Sequence, residues 1–281
     1  MTLLVFTAVL AAAVMHASWN ALIKVRVDRF ASISLAALGM ACTALPVLPF
    51  VAVPAANVWP WIIGSLTIHI GYRLFLILAY EFGDLAQTYP LARGTAPLIT
   101  TLGGIALVSE VPGPLAIIGI FLLSAGTFLM SLRGSAQLGR LNGAAVGYAL
   151  VTSLFIAGYT LADGIGARLA ETPIGYAAWL FVCDGVCAMT IGFFYRGRRL
   201  LAILAGEWEV GALTGFLSAT AYAIVMWAMT KAPIASVASL RETSILFAMA
   251  ISVLALGEKM TAWRGAAALT ILAGVIALRL G

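Results

Sequence analysis

Residues 91–130 read LARGTAPLITTLGGIALVSEVPGPLAIIGIFLLSAGTFLM, and residues 239–278 read SLRETSILFAMAISVLALGEKMTAWRGAAALTILAGVIAL. At an offset of 148 they match Arg93 with Arg241, Thr95 with Thr243, Glu110 with Glu258 and Gly126 with Gly274. Arginine precedes glutamate by 17 residues in both. Four identities in register, inside equivalent apolar runs, mark an internal repeat.

The rest of the chain has the same apolar character. Of 281 residues, 63% are hydrophobic and 10% charged, against about 25% charged in soluble domains. So few charges cannot cover a water-facing surface, which excludes an ordinary soluble enzyme, a disordered chain and a nucleic-acid binder. A membrane-spanning helix needs about 20 predominantly apolar residues. Ten such windows fall at 3–23, 31–53, 59–80, 85–108, 112–131, 143–166, 174–195, 208–230, 233–256 and 261–280. In lipid the backbone must satisfy its own hydrogen bonds, so only helices or a closed barrel can span. The runs are twice too long for barrel strands. The expected fold is an all-α membrane protein of ten transmembrane helices, with a first half at 1–134, a linker loop at 135–142 and a second half at 143–281. Five helices per half is an odd number, so the halves have opposite orientation, which makes an inverted repeat. Met1–Leu22 lacks a basic start and reads as the first membrane helix rather than a signal peptide. Cys42, Cys183 and Cys187 are scattered in apolar runs and give neither a disulfide framework nor a zinc motif.

Several motifs resemble a known family. Tyr89-Pro90-Leu91-Ala92-Arg93-Gly94, then Pro97-Leu98 and Ser109-Glu110, precede a Gly-rich helix. Ser239-Leu240-Arg241-Glu242-Thr243 and Leu256-Gly257-Glu258-Lys259 repeat the arrangement. With the opening His16-Ala17-Ser18-Trp19-Asn20-Ala21, the whole chain resembles two EamA repeats of the drug/metabolite transporter superfamily. The resemblance implies transport of a small metabolite, such as an amino acid, a nucleotide or a sugar, through a central cavity by alternating access. It further implies a multi-pass protein of the bacterial inner membrane, with proton or membrane-potential coupling in some members. The expected partners are the lipid bilayer, a small-molecule substrate and a coupling proton or ion, with no nucleic acid and no cofactor. The alternatives are a lipid-headgroup flippase or a non-transporting membrane partner, and a membrane-embedded enzyme. The last would need a nucleophile–base pair or a metal cluster, yet His16 and His69 stand alone, without HxxxH or HExxH.

Thirteen of the sixteen basic residues lie in loops or at helix ends; the other three, Arg73, Arg93 and Arg241, lie inside apolar windows. A charge at the bilayer centre costs at least about 2.5–3.5 kcal/mol, so it is paired or faces a cavity. The window at 59–80 sets His69, Tyr72, Arg73 and Tyr80 on one helix face, and the first sets His16, Trp19, Asn20 and Lys24 on another. Tyr159 precedes Asp163 by four residues, Tyr89 precedes Arg93 by four, and Tyr222 is a counterpart of Tyr72. The candidate substrate-binding residues are therefore His16, Trp19, Asn20, His69, Tyr72, Arg73, Arg93, Tyr159, Tyr222, Arg241 and Glu242. Aromatic rings would shape the cavity, and guanidinium forks suit a carboxylate or phosphate. The same arginines can instead form permanent ion pairs with Glu242 or Asp184, and both readings stay open here. Asp163 and Asp184 are candidates for proton coupling. Glu110 and Glu258 are expected to cap the helices that follow them. The GxxxG patterns Gly143–Gly147 and Gly211–Gly215 are expected to let helices approach closely.

Loops after the first, third, fifth, seventh and ninth windows hold ten basic residues, and the opposite side holds Arg168, Lys231 and Arg279. The positive-inside bias then places both termini outside, whereas the family resemblance implies termini in the cytoplasm. A C-terminal reporter active only in the cytoplasm decides between them. The charge bias predicts a silent fusion, and strong activity would overturn it.

Overall fold

The computed structural model describes residues 1–24, 29–82, 85–131, 143–257 and 260–281. The linker 135–142, Glu258 and Lys259 lie outside them, as do the side chains of Lys24, Tyr80 and Tyr89. The described residues are all-helical, in the order α1 (Leu3–Lys24), α2 (Arg29–Ala44), α3 (Trp59–Phe82), α4 (Leu85–Val108), α5 (Pro114–Ser131) and α6 (Gly143–Leu169). Then follow α7 (Pro173–Arg196), α8 (Arg198–Gly206), α9 (Trp208–Met229), α10 (Ile234–Arg241), α11 (Ser244–Leu256) and α12 (Ala262–Leu280). Among the described residues, seven helical stretches are long and apolar enough to cross a membrane, and the shorter apolar stretches Ser34–Phe50 and Pro114–Met130 accompany them.

The surface is inverted relative to a soluble protein. Leu254 and Phe194 are each 85% exposed, while Asp163 is fully buried and Arg93, Arg241 and Glu242 nearly so. Apolar side chains outward and charges inward is the arrangement a lipid solvent demands.

Local chemistry sets the breaks. Pro46 and Pro49 turn the end of the second window into a 3-10 segment, Leu45–Phe50, because proline cannot continue α-helical hydrogen bonding. Thr172 caps α7, its hydroxyl accepting from the Gly175 N–H at 3.1 Å, with Pro173 at the first helical position. Ser109 (φ 55°) follows the end of α4 and Gly257 (φ 65°) the end of α11, each in the left-handed conformation that ends helices. These positions are again 148 apart.

Two features depart from the sequence expectation. Residues 198–206, expected as loop, form the short helix α8, whose Leu200 and Leu204 bury against Leu35 of α2 while Arg198 stays exposed. This is how an interfacial amphipathic helix sits. The ninth window is interrupted between α10 and α11. There Glu242, Thr243, Ile245 and Leu246 donate backbone hydrogen bonds three residues back, the tighter 3-10 pattern that marks a mid-helix joint.

Packing places helices of the two halves against each other. α5 lies along α12, α3 and α4 along α6, and α1 along α9 and α11, while α2 sits between α7 and α9. Glycines make two of these contacts possible. A methyl group on Gly39 would lie 2.2 Å from the Gly211 carbonyl oxygen and 2.8 Å from the Gly215 Cα, so α2 and α9 touch backbone to backbone. On Gly126 it would lie 2.9 Å from the Ile271 N and 3.0 Å from the Ala267 oxygen; on Gly274, 2.8 Å from the Leu123 N and 2.9 Å from the Gly119 oxygen. The Gly211–Gly215 pattern thus makes a close helix contact, whereas Gly143 and Gly147 meet nothing within 4 Å, because they lie on the exposed side of α6 while Ala145 and Ala149 take the buried side.

Overpacking a tight contact costs about 1–3 kcal/mol or more. Gly215→Leu is therefore expected to lower the unfolding midpoint of the detergent-solubilised protein, while Gly147→Leu leaves it within error. Thermal unfolding of the two variants side by side checks this, and equal midpoints would refute the packing assignment.

Candidate functional site

The charged side chains buried deepest in the helical interior meet, with a histidine and two tyrosines, in one continuous line. His16 from α1 approaches Arg93 from α4, Nε2 to the guanidinium, at 3.2 Å. A guanidinium only donates, so His16 accepts and is neutral in this contact. The Arg93 Nε lies 2.9 Å from the Glu242 Oε2, and both residues are buried. Glu242 occupies the joint between α10 and α11, and its second oxygen is 3.8 Å from Arg241. The Arg241 guanidinium lies over the Tyr222 ring of α9, 5.8 Å from its centroid, a cation–π contact. The Tyr222 hydroxyl donates to the Asp163 Oδ2 at 2.5 Å, and the Tyr176 hydroxyl of α7 donates to the Oδ1 at 3.0 Å. The line therefore draws on helices from both halves of the sequence.

An aromatic wall stands beside it. The His69 ring stacks on Tyr159 with centroids 4.2 Å apart, and Tyr72 and Tyr222 meet Tyr159 edge-on at 5.7 Å and 6.3 Å. The His69 Nδ1–H donates to the Ser65 carbonyl one turn back at 2.9 Å, which fixes the ring. His16 meets Trp19 edge-on at 5.2 Å. Edge-to-face and offset contacts of this kind suit the aromatic quadrupole and hold the rings in place.

Most of the sequence candidates converge here: His16, Trp19, His69, Tyr72, Arg93, Tyr159, Asp163, Tyr222, Arg241 and Glu242. Three do not enter the line: Asn20, Arg73 and Asp184. Asn20 spends its amide on the His16 carbonyl of its own helix, at 2.8 Å. Arg73 pairs with Asp184 of α7 at 2.5 Å, forming a separate, partly exposed bridge. Glu110 does not cap the helix that follows it. Its carboxylate accepts from the Ile234 N–H at 2.8 Å and pairs with Arg168 at 2.6 Å. It thus caps α10, because the Ser109 turn aims it across the molecule; Glu258 lies outside the described residues. Arg168 also donates to the Met229 and Ala232 carbonyls at the end of α9, where helix carbonyls lack intrahelical donors. It is therefore more than a topology marker.

Sequence inspection missed Tyr176. It lies near the start of α7, thirteen residues and a helix break away from Asp163, so only the fold brings the two together. Loss of a donor to a buried carboxylate costs about 1–3 kcal/mol. Tyr176→Phe is expected to destabilise the protein by that amount, measured by chemical denaturation in mixed micelles. No change would mean that Asp163 does not depend on this hydroxyl.

Comparison with known proteins agrees with this architecture. One solved crystal structure superposes with a TM-score of 0.73, covering 99% of this chain and 96% of its own at 18% sequence identity. That likeness concerns the fold alone. No curated relative matches the sequence. The profile of the EamA-like transporter family matches residues 143–280. That family comprises membrane transporters of the drug/metabolite type, and apolar helices throughout the chain fit a multi-pass membrane protein. Residues 143–280 are thus similar to the EamA-like transporter family.

Proposed function

We propose that this protein is a ten-pass carrier of the bacterial inner membrane that moves a small polar metabolite by alternating access, with the His16-to-Asp163 line and its aromatic wall as the substrate site. The observation that carries this reading is a buried line of charges and aromatic rings supplied by both halves. Buried intramembrane charges are expensive and mark transport pathways in membrane proteins. The lipid bilayer is its solvent, and Asp163 and Asp184 are its candidate proton-coupling carboxylates.

Two observations support an inverted repeat. Ser109 and Gly257, 148 residues apart, adopt the same left-handed turn after equivalent helices. The glycine contacts are reciprocal. Under the same offset Gly126, Leu123 and Gly119 become Gly274, Ile271 and Ala267, so Gly126 against Ile271 and Ala267 mirrors Gly274 against Leu123 and Gly119. A twofold axis through the α5–α12 crossing would produce that reciprocity.

Other contacts break the symmetry. α2 packs closely on α9, whereas its counterpart α7 touches α3 lightly; α4 lies along α5, whereas among the described residues α11 has no comparable contact with α12. Two equivalent halves in unequal arrangements are what one end state of a two-state exchange looks like. Exchange of the two arrangements would open the central site first to one side of the membrane and then to the other.

Flux in sealed proteoliposomes across a broad panel of amino acids, sugars, nucleotides and organic acids tests the function, and no uptake of any member would refute it. Tyr159→Ala removes the ring on which His69, Tyr72 and Tyr222 converge. It is expected to cut flux by about tenfold, equivalent to about 1.4 kcal/mol, with the protein still folded by gel filtration. Undiminished flux would move the substrate site elsewhere.

A further inference from the structure

The central ion pairs are incomplete on one side. Two buried guanidiniums, Arg93 and Arg241, surround one carboxylate, Glu242. Arg241 stands 3.8 Å from it, beyond hydrogen-bond reach, and its buried Nε has no hydrogen-bond partner. The Glu242 Oε2 faces Arg93 by charge contact without hydrogen-bond alignment. Each buried donor left unsatisfied costs about 1–3 kcal/mol, so a better-placed anion has free energy to gain. Glu242 also sits on the 3-10 joint between α10 and α11, where a small backbone change withdraws its side chain without unfolding a helix.

We propose that Glu242 is a built-in counter-anion that the substrate replaces: a small monocarboxylate binds Arg241 and Arg93 in its stead, and one proton enters with it onto the released Glu242 carboxyl. The inference rests on the central site being the transport site. Charge balances on both sides of the step. Two guanidinium cations and one carboxylate become two guanidinium cations, one bound substrate carboxylate and one neutral Glu242. The only bond formed is the O–H on Glu242, with the proton drawn from water on the open side. Cargo and proton then move together, and the site keeps its net charge.

The surroundings favour Glu242 over the other central carboxylate as the proton acceptor. Asp163 is already held by the Tyr176 and Tyr222 hydroxyls, whereas the Glu242 Oε2 accepts no hydrogen bond. The charged and titratable groups facing Glu242 are Arg241 on α10 and Arg93 on α4. His16 on α1 lies behind Arg93; Tyr222 on α9, with Tyr159 and Asp163 on α6, lies behind Arg241. α5 and α11 carry no charged or titratable side chain, and α12 carries only Arg264 and Arg279 towards its ends. The His69–Tyr159 stack, with the Tyr222 ring edge-on to it and Arg241 over that ring, fits a planar remainder on the carboxylate.

Benzoate is the probe, with benzamide as its uncharged control. Binding is measured by calorimetry on the purified full-length protein, and proton uptake by a pH indicator in weak buffer. Wild type is expected to bind benzoate with about one proton taken up per molecule, and its affinity should fall about tenfold per pH unit once Glu242 is ionised in the free protein. Benzamide should not bind. Glu242→Gln removes the competing anion, so it should bind benzoate about tenfold or more tightly, without proton uptake or pH dependence. Should Glu242→Gln fail to fold, Glu242→Asp keeps the carboxylate and is expected to retain proton uptake with a displaced pH midpoint. Binding to wild type without proton uptake, pH dependence surviving in Glu242→Gln, or no benzoate binding to wild type would each overturn the inference. Flux of uncharged solutes without benzoate binding would overturn it and leave the transport function standing. Benzoate binding with proton uptake, but no flux of any solute, would strike the transport function instead.

Discussion

Arg93, Glu242 and Arg241 are buried together where α1, α4, α9 and α10 converge, and much of the structure is arranged around that constraint. Arginine cannot lose its proton in a protein, and removing one partner of a buried ion pair costs several kcal/mol. The chain must therefore bring a carboxylate and polar neighbours to the two guanidiniums from several helices. Arg93 comes from the first half, Arg241 and Glu242 from the second, and His16 and Tyr222 complete the shell. Helices that otherwise present small apolar residues to each other are thereby tied at their centre by a few polar side chains. The shared carboxylate adds a directional tie to the close glycine packing.

A second set of polar contacts works near the ends of the helices. Glu110 reaches from the α4–α5 turn to the start of α10, and Arg168 joins it to the carbonyls at the end of α9. Glu110 from the first half and Arg168 from the second thus hold the two ends of the α9–α10 connection, next to the helix that carries Arg241. Movement of α10 has to be accommodated at this clamp, at the Glu242 joint and along the glycine seam between α2 and α9.

Much of this was legible in the sequence because lipid leaves few solutions. Apolar runs of membrane-spanning length gave the helices, and charges out of place gave most of the site: Arg93, Arg241, Glu242, His16, His69 and Asp163 stand out against their neighbours. Features that depend on three-dimensional juxtaposition were not legible. Tyr176 has no local signal for its bond to Asp163. Arg168 looks like any loop cation until Glu110 and the α9 carbonyls are placed beside it. The joint at Glu242 lacks proline or glycine, so nothing local announces it, whereas Pro90 and Pro97 lie inside α4 without ending it. Arg73 and Arg93 are equally conspicuous in sequence, but a partly exposed pair with Asp184 sets the first apart.

The proposed exchange between two arrangements around the central charges rests on the unequal packing of helices that the 148-residue offset matches. Spin-label distances test this most directly. One pair of labels sits on Cys42 of α2 and position 213 of α9, and the other on positions 74 of α3 and 186 of α7; all four positions are exposed, and Cys183 and Cys187 are replaced by serine. Two-state exchange predicts two distances within each pair, with populations that shift in opposite senses when Glu242→Gln is introduced. A single narrow distance in both pairs, unmoved by that substitution, would contradict it.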